Sequence, residues 1–295
     1  MRVASLDREQ LGEAERVLAA ACAFDRASVV ADEKLFGRGP TATPVAFGAW
    51  EGERLVGVAA VCARWVRVLG VVPEARGRGA GSALLAACET TAREAGMERL
   101  TMCDQPGNYL APGIDERNTD VIGWLERRGY ARVGEPRLNA LIDVRGNPRV
   151  TAERVAELTA KATARGYEIR RAHRDERELS AAVGTEFGGQ WPFELDSALG
   201  FDPPGVHVAM RDGAYCSFAA HDGNNRGLGW FGPTGTWPAH RGQGLGEVLL
   251  MACLVDVGNE RGQCEVAWIG PRPFYEKVAG VVGERRFIAL AKQLA

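Results

Sequence analysis

The sequence predicts an α/β chain built from two tandem copies of one domain. Three observations predict it. The segment from Arg76 to Cys88 returns from Arg241 to Cys253, identical at eight of thirteen positions. The same order of strand and helix signals surrounds both segments. A turn-rich breaker, Arg145-Gly-Asn-Pro-Arg149, stands between them. The expected domains are 1–148 and 149–295, each of roughly 145 residues and large enough to bury its own core.

The first copy opens with a strand at 2–6. A helical stretch follows, with Leu11, Ala14, Val17, Leu18 and Cys22 on one face. Residues 45–50 and 55–62 read as strands around Glu51-Gly52-Glu53, and 65–72 as a third strand that feeds the glycines. Then come a helix at 81–95, a strand at 100–103, a short helix at 120–128 and an extended stretch at 131–144. A connecting helix is expected over 149–165, with Thr151 as its cap and Val155, Leu158 and Ala162 on one side. The second copy repeats the order: a strand at 167–172, helices at 174–184 and 193–199, strands at 206–210 and 215–220 around Asp212-Gly213, and a run at 228–236 into the glycines. A helix at 246–260, a strand at 265–269, a short helix at 273–278 and a terminal strand at 285–291 complete it.

Composition narrows the partners. Net charge is -2 and the pI about 6.2, which gives a nucleic-acid partner no electrostatic support. No apolar run approaches the ~20 residues that span a bilayer, and residues 1–7 lack a signal-peptide core; the expectation is a cytoplasmic protein. The seven cysteines include no CxxC pair and sit mostly in apolar contexts, as buried free thiols do. The four histidines show no metal-ligand spacing, and no metal is expected.

In each repeated segment a β-like run leads through glycines into a helix. Such a helix start presents unpaired N–H groups and about half a positive charge, a natural seat for phosphate. Two common phosphate loops are excluded. A Walker loop ends in Gly-Lys-Ser/Thr, whereas Ser82 and Glu247 follow the last glycines here without a lysine. A dinucleotide fingerprint needs a glycine where Ser82 and Glu247 stand. Both copies instead satisfy Arg-x-x-Gly-x-Gly, at Arg76, Gly79 and Gly81 and at Arg241, Gly244 and Gly246, each with a proline three residues before the arginine, Pro73 and Pro238.

This pattern resembles the pyrophosphate loop of the GNAT superfamily of acyl-CoA-dependent N-acyltransferases. Val68-Leu-Gly-Val-Val-Pro73 is similar to that family's fourth strand, and Gly232-Pro-Thr-Gly-Thr-Trp-Pro238 is a looser match. The resemblance implies two GNAT-like domains, each a mixed, mostly antiparallel sheet with splayed central strands, flanked by helices. It implies acetyl-CoA as cofactor, with Arg76, Gly77, Arg78, Gly79, Ala80, Gly81, Ser82 and Asn118 binding it in copy 1 and Arg241, Gly242, Gln243, Gly244, Leu245 and Gly246 in copy 2; Arg76, Arg78 and Ser82, and Arg241, are the side chains offered to its phosphate. The pantetheine arm is then expected as an added strand along Leu69 and Val71 in copy 1 and Thr234 and Thr236 in copy 2.

Acyl transfer to an amine by direct attack through a tetrahedral intermediate needs a proton acceptor, an N–H for the oxyanion and a donor for the leaving thiolate. In the family the donor is often a tyrosine in a pattern like Asn-x-x-Ala-x-x-x-Tyr-Glu. Copy 2 has Tyr275 there, with Trp268 at the asparagine position; copy 1 has Asn118 but Leu125 at the tyrosine position. The sequence therefore favours copy 2 for catalysis, although Gln243 and Glu247 make its loop the less welcoming to phosphate. Candidate bases are Glu265 and Glu186 in copy 2, with Asp104, Tyr109 and Asp115 the alternatives in copy 1; water can also carry the proton. Trp191, in Gly188-Gly-Gln-Trp-Pro-Phe-Glu194, could line an acceptor pocket or anchor a turn. Two functions stand: an N-acyltransferase acting on a small-molecule or peptide amine, as monomer or homodimer, and a non-catalytic acyl-CoA-binding sensor or scaffold.

Overall fold

The computed structural model describes residues 1–294. It forms two compact units, the first comprising residues 1–137 and the chain from Arg286 onward, the second Leu138–Arg285. Both have the expected class, a mixed and mostly antiparallel sheet flanked by helices.

In the first unit the strands run in the order Arg2–Ser5, Val45–Glu51, Arg54–Cys62, Trp65–Val71, Arg99–Met102, Leu290–Gln293 and Ala131–Arg132. Neighbours are antiparallel except Trp65–Val71 and Arg99–Met102, which are parallel. Helix Leu11–Ala21 lays Ala14, Val17 and Leu18 against the sheet, and helix Ala80–Glu94 does so with Leu84, Leu85 and Cys88. Burying each large aliphatic side chain contributes about 1.5–3 kcal/mol.

The second unit orders its strands Arg137–Asp143, Gln263–Val266, Trp230–Thr236, Ala214–His221, Val206–Arg211 and Glu168–Arg171, again with one parallel pair, Trp230–Thr236 beside Gln263–Val266. Its central helix, Leu245–Glu260, buries residues all round, including Leu245, Leu249, Leu250 and Leu254. The reason is helix Ala152–Thr163, which packs on it from the side opposite the sheet. Thr151 caps that helix as expected, its Oγ1 accepting from Arg154 N at 3.1 Å.

The units part between Arg137 and Leu138, earlier than the break near 148. Strand Arg137–Asp143 pairs antiparallel with Gln263–Val266. The terminal strand expected at 285–291 is two strands, Gly283–Ile288 and Leu290–Gln293, and the latter pairs with Arg99–Met102 in the first unit. The short helix Ala31–Leu35 and the strand Ile114–Asp115 have no counterpart in the sequence reading.

At the end of strand Trp230–Thr236 away from the glycines, the second unit holds an ionic cluster. His207 Nε2 lies 2.6 Å from Asp256 Oδ2, His221 Nδ1 2.9 Å from Asp222 Oδ2, and Arg171 Nη2 donates to Asp256 Oδ1 at 2.8 Å. Burial opposes charge on His221, but its bonds to Asp222 and Asp256 outweigh burial and push its pKa from 6.5 up to about 9. Burial likewise opposes charge on Asp256, and the bonds from His207, His221 and Arg171 outweigh it and hold this carboxyl well below its ordinary 3.8. Folding raises the affinity of His221 for its proton, so its stabilisation is complete below about pH 6.5 and disappears as pH rises through about 9. Asp256 acts in the opposite sense, its contribution present above 3.8 and lost in acid. The melting temperature of the second unit should therefore fall between pH 6.5 and 9, and fall less in His221→Gln. Calorimetric melts across that window check this; equal slopes for the two proteins would contradict it.

Candidate active site

Each unit opens a wedge beside its glycine loop. In the first, the parallel pair is joined only at Trp65↔Thr101 and Val66↔Met102, with Cys103 N bonded to Val66 O at 2.7 Å. In the second, it is joined only at Trp230↔Glu265 and Phe231↔Val266, with Ala267 N bonded to Phe231 O at 3.2 Å. Beyond these residues the strands separate. On the other side of the wedge strand, Val72 N bonds Val56 O and Trp237 N bonds Cys216 O. Because an antiparallel ladder alternates its bonds from side to side, Leu69 and Val71, and likewise Thr234 and Thr236, turn their N–H and C=O groups into the wedge. The two pairs of residues expected to face an added strand are thus the ones with outward backbone groups.

The loops match angle for angle. Arg76 and Arg241 have φ -66°, with ψ 156° and 154°. Gly77 and Gly79 have φ +74° and +93°; Gly242 and Gly244 have +75° and +77°. Such values suit glycine. A Cβ on any of the four would meet nothing within 4 Å, so the loop surface stands open where a diphosphate would lie. Helices start at Ala80 and Leu245, directly after Gly79 and Gly244, and their first N–H groups have no intrahelical acceptor. Residues 77–82 and 242–246 fit an anion held by backbone donors.

The two arginines of the motif do other work. Arg76 Nε donates to Val71 O at 3.1 Å and its Nη2 to Ala21 O at 3.0 Å; Arg241 Nε donates to Thr236 O at 3.2 Å. Both guanidinium groups tie the loop back to its strand. Arg78 lies 3.5 Å from Glu51 and is largely exposed. Ser82 Oγ accepts from Arg128 Nη2 at 2.8 Å, and Arg128 also stacks 4.2 Å from the Trp124 ring centre. Asn118 caps helix Thr119–Glu126 through its carbonyl, which accepts from Ile122 N at 3.0 Å. Gln243 presents its carbonyl to Arg165 Nη1 at 2.8 Å, and Glu247 accepts from Arg154 Nη2 at 2.8 Å.

Sequence reasoning overlooked Arg128, Arg154, Arg165 and a matched aromatic pair. Trp124 and Phe274 each stand 3.5–3.8 Å from where a Cβ would sit on Gly81 and Gly246. Aligning the two copies through Leu125 and Tyr275 puts these rings in register, so the signal was there to read.

Tyr275 is buried on helix Arg272–Val278, edge-on to Phe231 with ring centres 6.4 Å apart. Phe231 is the last paired residue of the wedge strand, so the phenol borders the point of divergence. Burial, with Cys264 nearby, pushes its pKa up to about 12. Leu125, its counterpart, is wholly buried. Glu265 is far from bare: Asn139 Nδ2 donates to it at 2.6 Å and Arg285 Nη1 contacts both carboxylate oxygens at 3.1 Å. Asn139 Oδ1 in turn accepts from Trp268 N at 2.7 Å. Glu186 is exposed on helix Arg177–Phe187. Trp191 joins Phe187, Phe218 and Trp237 in an aromatic cluster beside the wedge strand. In the first unit Asp104 is held by Arg137 at 2.8 Å and Thr101 at 2.6 Å, Asp115 is buried and bonded three times by Arg117, and Tyr109 is buried.

Two sheets, each split beside a glycine loop at a helix start, define a tandem GNAT fold. The acetyltransferase (GNAT) family matches residues 15–130. Among solved structures, a tandem GNAT protein from the clavulanic acid biosynthesis pathway is 20% identical, with a TM-score of 0.68 over 100% of this chain and 98% of that one. A GCN5-related N-acetyltransferase from Sphaerobacter thermophilus is 18% identical, with a TM-score of 0.64 over 99% and 95%. A GCN5-related glucosamine N-acetyltransferase region of a fungal multi-domain GH3 β-N-acetylglucosaminidase gives 0.76 at 15% identity; the match covers 98% of this chain but only 38% of that protein. At these identities the likeness is one of fold. No curated protein matches the sequence. The match to the GNAT family thus lies within the first unit, and the whole chain shares the fold of a tandem GNAT protein. No described helix is long and apolar enough to cross a membrane.

Proposed function

We propose that the chain is an acyl-CoA-dependent N-acyltransferase that moves an acetyl group from acetyl-CoA to the primary amine of a small molecule or peptide, with the second unit catalytic. The observation that carries this reading is Tyr275, a buried phenol at the divergence of strands Trp230–Thr236 and Gln263–Val266. The bound cofactor supplies a thioester carbonyl open to direct attack by the amine. The N–H groups of residues 242–246 hold its diphosphate, and the outward backbone of Thr234 and Thr236 holds its arm. Tyr275 keeps its proton at neutral pH, with a pKa of about 12, and offers that hydrogen to the departing sulfur.

Glu265 serves this reading better as a positioning residue than as a base. Its charge is matched by Arg285, and it orients Asn139, which holds the Trp268 N–H on the way to the Tyr275 helix. With Glu186 exposed, the amine proton leaves through water.

Two observations favour a second reading, a non-catalytic acyl-CoA sensor. Leu125 removes the donor from the first unit, and Glu247 brings a carboxylate to the second loop. Calorimetry with coenzyme A, followed by thiol release over an amine panel, separates the readings. An acyltransferase binds and releases thiol only with an amine present; binding without amine-dependent release leaves the sensor.

A further inference from the structure

Arg67 stands at the apex of the first wedge. It directly follows Val66, the last residue of its strand to pair across the wedge. On the strand's other edge Val61 pairs with Val66 and Ala60 with Val68, so Arg67 is a bulged residue without a rung. Bulges beside a site re-aim a side chain. Here the guanidinium is wholly buried. Its Nε donates to Gln105 Oε1 at 2.5 Å, a bond that bridges the diverging strands, since Gln105 follows the end of strand Arg99–Met102. Its Nη1 donates to the carbonyl of Gly37. Its Nη2 has no hydrogen-bond partner among the described residues. Gly39 lies over that nitrogen, and a Cβ there would stand 2.6 Å from Nη2 and 2.8 Å from Gln105 Nε2. The charge is as poorly met as the donor. Glu33 is the carboxylate that acts on Arg67, and it is already bonded to Lys34, itself wholly buried. Burial pushes the pKa of Arg67 down from 12.5.

A buried charge with an unmet donor is costly, and a carboxylate is the anion a guanidinium fork accepts best. Resting on the acyl-CoA reading and extending it to the first unit, we infer that the first wedge takes a thioester whose acyl group ends in a carboxylate, of the malonyl or succinyl kind, with that carboxylate on Arg67 Nη2. The diphosphate lies at residues 77–82 and the arm along Val71 and then Leu69, so the acyl group is the part of the ligand that reaches Arg67. It enters beneath residues 36–44, which carry no helix or strand and so open at little cost. The second unit has Gly232 after Phe231, its last paired residue. No side chain stands there, so an uncharged acyl group suits that wedge.

The test is calorimetric binding in the Gly244→Glu background, so that only the first loop is intact. Malonyl-CoA is compared with propionyl-CoA, and succinyl-CoA with butyryl-CoA. At least one carboxylated thioester should bind about ten-fold tighter than its neutral counterpart. Adding Gly39→Ala places a methyl group against Nη2; the residue is not at positive φ, so its backbone accepts alanine. That variant should lose the preference and keep its affinity for the neutral thioesters, which also shows that it is folded. Equal affinity within both pairs overturns the inference and leaves the second-unit reading standing. So does a preference that survives Gly39→Ala, an equal loss for all four ligands in that variant, or loss of all binding in Gly244→Glu while the unsubstituted protein still binds one equivalent. Failure of the unsubstituted protein to bind any of the four overturns both.

Discussion

Gly244→Glu should abolish acyl transfer, while Gly79→Glu should retain turnover and lose one equivalent of bound coenzyme A. Both glycines sit at positive φ, +77° and +93°, immediately before a helix, and a Cβ added at either meets nothing within 4 Å. The fold therefore bears mainly the backbone strain, about 1–2 kcal/mol. The effect on ligand is larger. A carboxylate beside the N–H groups competes with the diphosphate, and losing two or three charge-assisted bonds at about 1.5–3 kcal/mol each amounts to about a hundred-fold or more in affinity. Steady-state rates and binding stoichiometry measure both outcomes. Loss of turnover in Gly79→Glu alone would move the active site to the first unit.

Tyr275→Phe should lower kcat by about 10²–10³ with coenzyme A affinity unchanged. The ring packs edge-on to Phe231 and beside Phe274, so phenylalanine keeps the packing and loses only the hydroxyl. The phenol lies at the point of divergence rather than on the glycine loop, which is why binding should be spared. Pre-steady-state thiol release reads the chemical step and calorimetry the affinity. Unaltered kcat would remove Tyr275 from the mechanism and strengthen the sensor reading.

Much of the site was legible because its parts are local. A glycine pattern needs only its own backbone to form a loop, and the strand before it and helix after it follow from periodicity. The positions facing the wedge, Leu69, Val71, Thr234 and Thr236, followed from the loop's place in the chain. What stayed hidden depends on residues far apart in sequence. Arg76 and Arg241 looked like phosphate ligands, and their guanidinium groups lie on Val71, Ala21 and Thr236 carbonyls instead. Glu265 looked like a free carboxylate until Arg285 and Asn139 were found against it. The segment between Met102 and Thr119 supplied the candidates Asp104, Tyr109 and Asp115; it is largely buried, with Gln105 bonded to Arg67 and Asn108 to Lys34.

By itself the sequence determined that the chain is a duplication, that each copy carries a strand, a glycine loop and a helix start, and that only the second has a tyrosine on the short helix near its end. These are matters of residue type and spacing. The tertiary structure alone decided where strands Arg137–Asp143 and Leu290–Gln293 pair, which carboxylates are neutralised, and how helix Ala152–Thr163 brings Arg154 to Glu247. The physical reason is that a strand's alternation marks its faces but not its neighbour, and a charge shows its sign in the sequence but not the partner that cancels it.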